Sequence, residues 1–492
     1  MDNKNNKHAI IKQIVAVFFI QASSTIAFAV FYSGLSIFLT QNKHYSQESA
    51  ALVTGLFLSL NYLLPLIGGI IAERITSYKN IYYIGAVASV IGCLVLAYTS
   101  YLYLGLALFL MSSVSNVCLN MFITSLFSSE QYMERRVAFT WNYIGMNLGF
   151  MLGYLFAGFS TISNSYDYLF ILMSLVIVAA LFLTGFFIKE PTVTTALKYR
   201  SKFTNITLCM LAYILLISVI TLLFDNVKQS QGGLIFIWIL TLICIFYFSF
   251  KRTNISDRYN IITFLSFALL SILFWTFYLL SPIAIMQFTQ HLVDREIFGF
   301  SIAPQWISNV NSFVILLVSP LFTIILTAGR KSNAFFSKTI NYFSVGLLFA
   351  CLSFGILYFG LNFYIHDTHD KLPLWIVLGY LILLAIGEIF ISPVSYALIG
   401  ELIQKPLRGV MTGVWGMNIG IAGLLSSILA SHCIVPYINN NGIGLQNILQ
   451  LQKTFLLIAV FLLISSLTIY FLSKKTRSIS HEYHHAFDES SS

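Results

Sequence analysis

The sequence predicts an all-α polytopic membrane protein with fourteen transmembrane helices. Three observations predict it. The 492 residues are 58% hydrophobic and only 9% charged, with mean hydropathy +0.83, more apolar side chain than a soluble chain can bury. Apolar runs of about 20 residues, the length that crosses a hydrocarbon core, recur from end to end. The basic residues sort to alternate loops, as membrane insertion demands.

The runs lie at about 11–40, 47–72, 81–99, 101–127, 137–161, 168–188, 203–224, 233–250, 260–288, 304–328, 338–362, 373–402, 409–431 and 453–473. The first is too long for a cleavable leader and more spans follow it; the run at 233–250 is short. With both termini cytoplasmic, only Lys43, Lys228, Arg295, Lys371 and Lys453 of the 27 Lys and Arg fall outside. That asymmetry accounts for the net charge of +9 by topology, without a nucleic-acid partner. The six cysteines form no CxxC and mostly lie inside spans, so they read as small apolar residues rather than a disulfide frame or metal site. The histidines lie in tails, loops or span ends. His484 and His485, in a polar tail expected to be disordered, read as solvated.

Of the 18 acids, all but Glu388 fall in tails, loops or near span ends, and no Lys or Arg lies deep in a span. A charged, unpaired acid at mid-membrane costs about 2.5–3.5 kcal/mol on insertion scales. Glu388 is therefore expected to receive a proton, a cation or an amine. The bland alternatives are a protonated, hydrogen-bonded glutamic acid between helices, or a position nearer the interface.

Two segments repeat. "RVAFTWNYIGMNLG" (Arg136–Gly149) matches "RGVMTGVWGMNIG" (Arg408–Gly420), and "PLIGGIIAER" (Pro65–Arg74) pairs more loosely with "PLFTIILTAGR" (Pro320–Arg330). Setting aside 203–224 and 233–250 as an inserted pair leaves six plus six spans, with the matched ones second and fifth in each half. Two such halves make the major-facilitator arrangement, with substrate expected between them near mid-depth. The division is 1–190 for the N-terminal six-helix bundle, 191–258 for the inserted pair and linkers, 259–475 for the C-terminal bundle and 476–492 for the tail.

Longer stretches carry a family resemblance. They are "GLFLSLNYLLPLIGGIIAER" (Gly55–Arg74), "WNYIGMNLGFMLG" (Trp141–Gly153), the run Phe274–Phe322, and "GEIFISPVSYAL" followed by "LRGVMTGVW". With them the chain resembles the proton-coupled oligopeptide transporter family of the major facilitator superfamily over most of its transmembrane length. The resemblance implies that Glu388, in the family's GExxxSP motif, meets the substrate's amino group, helped by Asn311. It also places Asn147, Tyr62, Trp275 and Trp415 at substrate-contacting positions. An ammonium offers three donors, which a carboxylate and an amide oxygen can accept.

Other family features are missing. In place of the first-span ExxER pattern with its tyrosine pair and following Arg stands "FFIQASSTIAFAVFYSGLSIFL", in which Tyr32 survives and Ser36 replaces the Arg. Asn120 stands where the family has a Lys, and Leu279 where it has a Glu. Losing both members of each charged pair strands no buried charge. Two substrates stay open: ordinary di- or tripeptides, with Asn120, Gln21, Ser24 and Thr25 solvating the carboxylate through water, or amines whose carboxylate is masked or absent. Proton–peptide symport is the family's mode. Glu388 is the one coupling residue in view, and competition there between proton and amine would give exchange instead.

Glu73, Arg74, Arg136 and Arg408 lie at span ends and are expected to gate. Arg136 and Arg408 start helices, where the dipole disfavours a cation, so they are expected to serve a carboxylate or carbonyls of a neighbouring helix, with simple anchoring as the plain alternative. An embedded enzyme would need a nucleophile–base pair or a metal cluster in the spans, and the sequence offers neither. No cofactor or metal is expected. A non-transporting sensor with the same fold remains a second class. The expected partners are substrate, protons and the lipid bilayer, and the chain is expected to work as a monomer in a bacterial inner membrane.

Overall fold

The computed structural model describes residues 2–127, 131–189, 202–252, 255–328, 335–404, 407–438 and 444–490. The order is α1 (Asp2–Gln41), α2 (Gln47–Arg74), α3 (Tyr78–Tyr98), α4 (Leu102–Val114), α5 (Asn116–Thr124), α6 (Tyr132–Ser163), α7 (Tyr166–Phe187), α8 (Lys202–Asp225) and α9 (Val227–Arg252). Then follow α10 (Ile255–Tyr278), α11 (Met286–Leu292), α12 (Pro304–Ile307), α13 (Asn309–Ala328), α14 (Phe335–Tyr364), α15 (Leu374–Leu402), α16 (Arg408–Cys433) and α17 (Leu445–Ser490). In lipid every backbone group must be paired within the segment, which selects helix for such apolar runs. Caps mark the starts: Ser46 accepts from the Ser49 N–H and Ser77 from the Asn80 N–H. Asn164, at φ 50°, closes α6 in the left-handed region.

Among the described residues 13 helices are long and apolar enough to cross a membrane. The remaining run, 304–328, holds α12 and α13. Three runs that read as unbroken in sequence are not. The run 101–127 breaks at Ser115, whose hydroxyl donates to the Ile81 carbonyl at 3.0 Å. The run 260–288 passes through a π-helical turn, Ser281–Ile285, where Pro282 removes a backbone donor. The run 304–328 starts as the separate short turn α12. At the other end, α17 continues through 476–490 where the sequence suggests a disordered tail. That stretch has neither Pro nor Gly to end the ladder.

The chain divides into two compact units. The first is Met1–Ile245 with Ala303–Trp306 and Gly413–Ile428. Its core centres on Phe31, whose ring lies 5.4 Å from Phe57, 4.2 Å from Phe109 and 5.5 Å from Phe170, joining α1, α2, α4 and α7. Glycines of α6 let α1 approach: a Cβ on Gly149 would sit 2.6 Å from the Ala22 carbonyl oxygen, and one on Gly153 2.6 Å from that of Ile26. α8 and most of α9 pack in this unit; residues 191–201, 253 and 254 of the expected 191–258 piece lie outside the described residues.

The second unit is Phe246–Ile302, Ile307–Thr412 and Leu429–Ser492. Phe354 anchors it, with ring centroids 5.4 Å from Tyr380 and 6.1 Å from Phe455. α14 and α17 exchange bonds: Ser344 Oγ donates to the Ser466 carbonyl and Ser466 Oγ to the Ser344 carbonyl, each at 2.8 Å. Two-residue strands pair in parallel, Val293 with Leu372 and Asp294 with Pro373.

Candidate substrate site around Glu388

Glu388 sits in the middle of α15, in a span without Lys or Arg. Two packing events place it. Gly387 has no side chain, so α14 and α10 come close: a Cβ there would sit 2.9 Å from the Gly346 carbonyl oxygen and 3.2 Å from Phe274 Cε2. On the other side, Ile315 of α13 packs with Ala385 and Ile389. Asn311 lies one turn before Ile315 on α13 and is brought to Glu388 by that contact.

The Glu388 residue is half-buried, and its Oε2 is closed to solvent with no hydrogen-bond partner among the described residues. Asn311 and the Tyr278 hydroxyl are hydrogen-bonding side chains that face the carboxylate. Tyr278 Oη and Asn311 Oδ1 are 3.5 Å apart. The buried indole of Trp275 stands 5.1 Å from the Tyr278 ring, centroid to centroid, and its Nε1 has no partner among the described residues. A buried acceptor on α15 and a buried donor on α10 thus lie without partners among the described residues. The second unit thus places Asn311 and Tyr278 at Glu388, and Trp275 beside Tyr278. Sequence reasoning missed Tyr278; the signal was its position one helical turn past Trp275.

The remaining site residues of the sequence reading lie in the first unit. Asn147 is buried on α6 and donates from Nδ2 to the Tyr143 carbonyl at 2.9 Å. Tyr62 is half-buried on α2, and Trp415 is buried on α16. The ring of Tyr32 of α1 lies among those of Phe28, Phe150 and Tyr154, tilted or edge-on, with centroids 5.7–6.4 Å away. Asn120 is exposed on α5, just past the break at Ser115. Of the polar residues weighed for the substrate's carboxylate, Gln21 Nε2 donates to Thr25 Oγ1 at 3.0 Å. Ser36 and Leu279, at the places of missing charges, are buried.

At the span ends, Arg408 Nε donates to the Ile403 carbonyl at 2.9 Å, the first residue past α15. The guanidinium thus serves a carbonyl just past the end of α15. Arg136 is exposed near the start of α6. Glu73 and Arg74 end α2, and their side chains lie outside the described set. Among the described residues, no three His, Cys, Asp or Glu side chains converge as a metal site would need; the side chains of His484 and His485 lie outside that set.

Three comparisons bear on this arrangement. The profile of the POT family matches residues 72–446. The peptide transporter YePEPT of Yersinia enterocolitica is 22% identical over 78% of this chain and 80% of its own. Dipeptide and tripeptide permease B of Salmonella typhimurium is 24% identical over 85% and 86%. Among solved structures, a peptide transporter in complex with alafosfalin superposes with TM-score 0.79 at 16% identity, covering 94% of each chain. A POT family transporter in complex with 5-aminolevulinic acid gives 0.78 at 19%, covering 94% of this chain and 96% of that one. The likeness establishes the major-facilitator fold, two six-helix bundles with an inserted helix pair, and with the profile match across most of its length the chain belongs to the POT family of peptide transporters.

Proposed function

We propose that the chain is a secondary active transporter of small peptides or peptide-like, amine-bearing solutes, working by alternating access and coupled to protons through Glu388. The observation that carries this is the buried, unpartnered Oε2 of Glu388, faced by Asn311 and Tyr278. A carboxylate, an amide oxygen and a phenol oxygen can accept the three donors of an ammonium. Where Oε2 is closed to solvent such charge-assisted bonds are strong, and a charge on Glu388 is costly there. Either a proton or an ammonium relieves that cost, so the two compete for one group.

Asn147, Tyr62, Trp415, Asn120 and Tyr32 are proposed substrate contacts of the first unit, and Trp275 one of the second. Glu73, Arg74, Arg136 and Arg408 are proposed gating residues. The bond from Arg408 to Ile403 supports a part in fixing the turn between α15 and α16. A bacterial inner membrane, both termini cytoplasmic, fits the charge asymmetry of the loops.

A second reading is favoured by Ser36 and Asn120. They stand where the family resemblance implies an Arg and a Lys, and neither carries a charge. A free substrate carboxylate would meet no fixed cation from those positions. This reading makes the cargo an amine with its carboxylate masked or absent, such as a peptide amide, moved in exchange for protons.

The test is uptake into liposomes under an imposed proton gradient, with dialanine and dialanine amide as paired cargoes, for wild type and Glu388→Gln. Gradient-driven uptake of either cargo that is lost in the variant supports the proposal. Uptake of the amide alone selects the second reading. Binding without turnover would make the protein a sensor and overturn both.

A further inference from the structure

The inserted pair α8 and α9 is apolar and exposed along most of its length: Leu211, Leu215 and Leu222 on α8, and Phe236, Ile237 and Ile243 on α9. Against that background α9 turns two polar side chains inward. Gln231 Nε2 donates to Ser427 Oγ at 3.0 Å, and Trp238 Nε1 donates to Asn418 Oδ1 at 2.8 Å. Gln231 and Trp238 are two helical turns apart and share a face. Their partners lie on α16 in the reverse order, so α9 and this part of α16 run antiparallel. Asn418 is fully buried, and its Nδ2 has no partner among the described residues. The Trp238 indole thus pairs the acceptor of a side chain whose donor goes unpaired.

The other helix of the pair is pinned elsewhere. Tyr213 of α8 donates to the Ile81 carbonyl of α3 at 3.2 Å and lies 3.3 Å from Ser115 Oγ at the α4–α5 break. Ser230 Oγ donates to the Leu223 carbonyl at 2.8 Å and ties α9 to α8. The pair therefore reaches from α3 and the α4–α5 break to α16.

The same part of α16 lies on α2 with almost no side chain between. A Cβ on Gly420 would sit 2.9 Å from the Ser59 carbonyl oxygen, and one on Gly423 2.9 Å from Ser59 Oγ. Ser59 Oγ itself donates to the Gly420 carbonyl. Contacts this close are lost when either helix shifts by an ångström or two. In lipid, apolar packing gives helices little reason to choose one neighbour, whereas interhelical hydrogen bonds and small-residue contacts do.

We propose that the inserted pair is a brace: the Trp238–Asn418 and Gln231–Ser427 bonds hold Gly413–Ile428 of α16 against α2. Trp238 and Gln231 are then positioning residues. They touch no cargo and act through α16, which carries Trp415 one turn before Asn418. Releasing the two bonds frees α16 from α2 while leaving α3, α4 and α14 as they are.

The test is hydrogen–deuterium exchange of the full-length protein in lipid nanodiscs, for wild type, Trp238→Phe, Gln231→Leu, Asn418→Leu and the double variant Trp238→Phe/Asn418→Leu. Each single change is expected to raise exchange several-fold in peptides from 413–428 and 55–66, with 78–98 and 335–364 unchanged. The double variant is expected to exchange no faster than the faster of its two parents, because both changes break one bond. Exchange that rises only within 227–245, or effects of Trp238→Phe and Asn418→Leu that add, would overturn the proposal. Gln231→Leu probes the second bond independently should the Trp238 variants fail to fold.

Discussion

Gly387 and Gly346 cross with their backbones nearly touching: a Cβ on Gly387 would lie 2.9 Å from the Gly346 carbonyl oxygen, and one on Gly346 3.0 Å from that of Gly387. The crossing sets the depth and angle of α15 one residue before its carboxylate. Gly387→Ala must push α14 and α15 apart, which for overpacking costs about 1–3 kcal/mol. We expect a lower unfolding temperature and weaker amine binding together. Thermal unfolding in detergent and a binding isotherm for dialanine amide check it.

Glu388→Gln keeps the shape of the side chain and removes its charge. The variant should fold at least as well as wild type, because a buried charge is gone. Binding of an amine should weaken by the value of a hydrogen bond to a charged group, about 1.5–3 kcal/mol or roughly 10- to 150-fold in Kd. Calorimetric titration at fixed pH is the measurement. Unchanged affinity would remove Glu388 from the site.

Tyr278→Phe takes away one hydroxyl and leaves the ring contacts with Trp275 and Phe274 intact. Loss of a neutral hydrogen bond is worth about 0.5–1.5 kcal/mol, so Kd should rise roughly 2- to 13-fold. The rise should be seen for primary amines and vanish for a quaternary ammonium, which has no N–H to give. Parallel titrations with both ligand types separate this from a general loosening.

The loop between α14 and α15 carries its own pH response. The Asp370 carboxylate accepts the backbone N–H groups of His366 and Asp367, each at 2.9 Å, and these bonds hold its pKa below the usual carboxylate range. A depressed folded pKa stabilises the turn above the unfolded value, and that stabilisation disappears as pH falls through the folded one. Protection of the two amides should therefore drop at a pH below about 4. Asp370→Asn should show low protection throughout and no such step. Amide exchange compared across pH after correction for intrinsic rates gives the answer.

Composition made the helices legible, and hydropathy alone located most span ends, because lipid leaves the backbone no alternative. The breaks were harder. The stop at Ser115 depends on Ile81 and Tyr213, from distant parts of the chain, and no local signal records them. Pro282 did mark its irregular turn, yet a proline in an apolar run can kink, shift or merely bend a helix. Glu388 stood out because one acid among apolar neighbours is expensive. Asn311 came from the family resemblance, whereas Tyr278 looked like any aromatic until α10 was seen to face α15. The inserted pair was visible as two extra spans, but its hold on α16 rests on Trp238 and Gln231, which in sequence are an ordinary aromatic and an ordinary span-end amide.

The exchange of bonds between Ser344 and Ser466 restricts how the last helix can move. Two hydroxyls, each seated on the other helix's carbonyl, resist rolling about the helix axis, because any roll pulls both away at once. They permit tilting of α14 and α17 as a single plank. A spectroscopic label on the exposed flank of α17, at Leu457 or Ile464 for instance, would therefore follow the tilt of α14 without touching it.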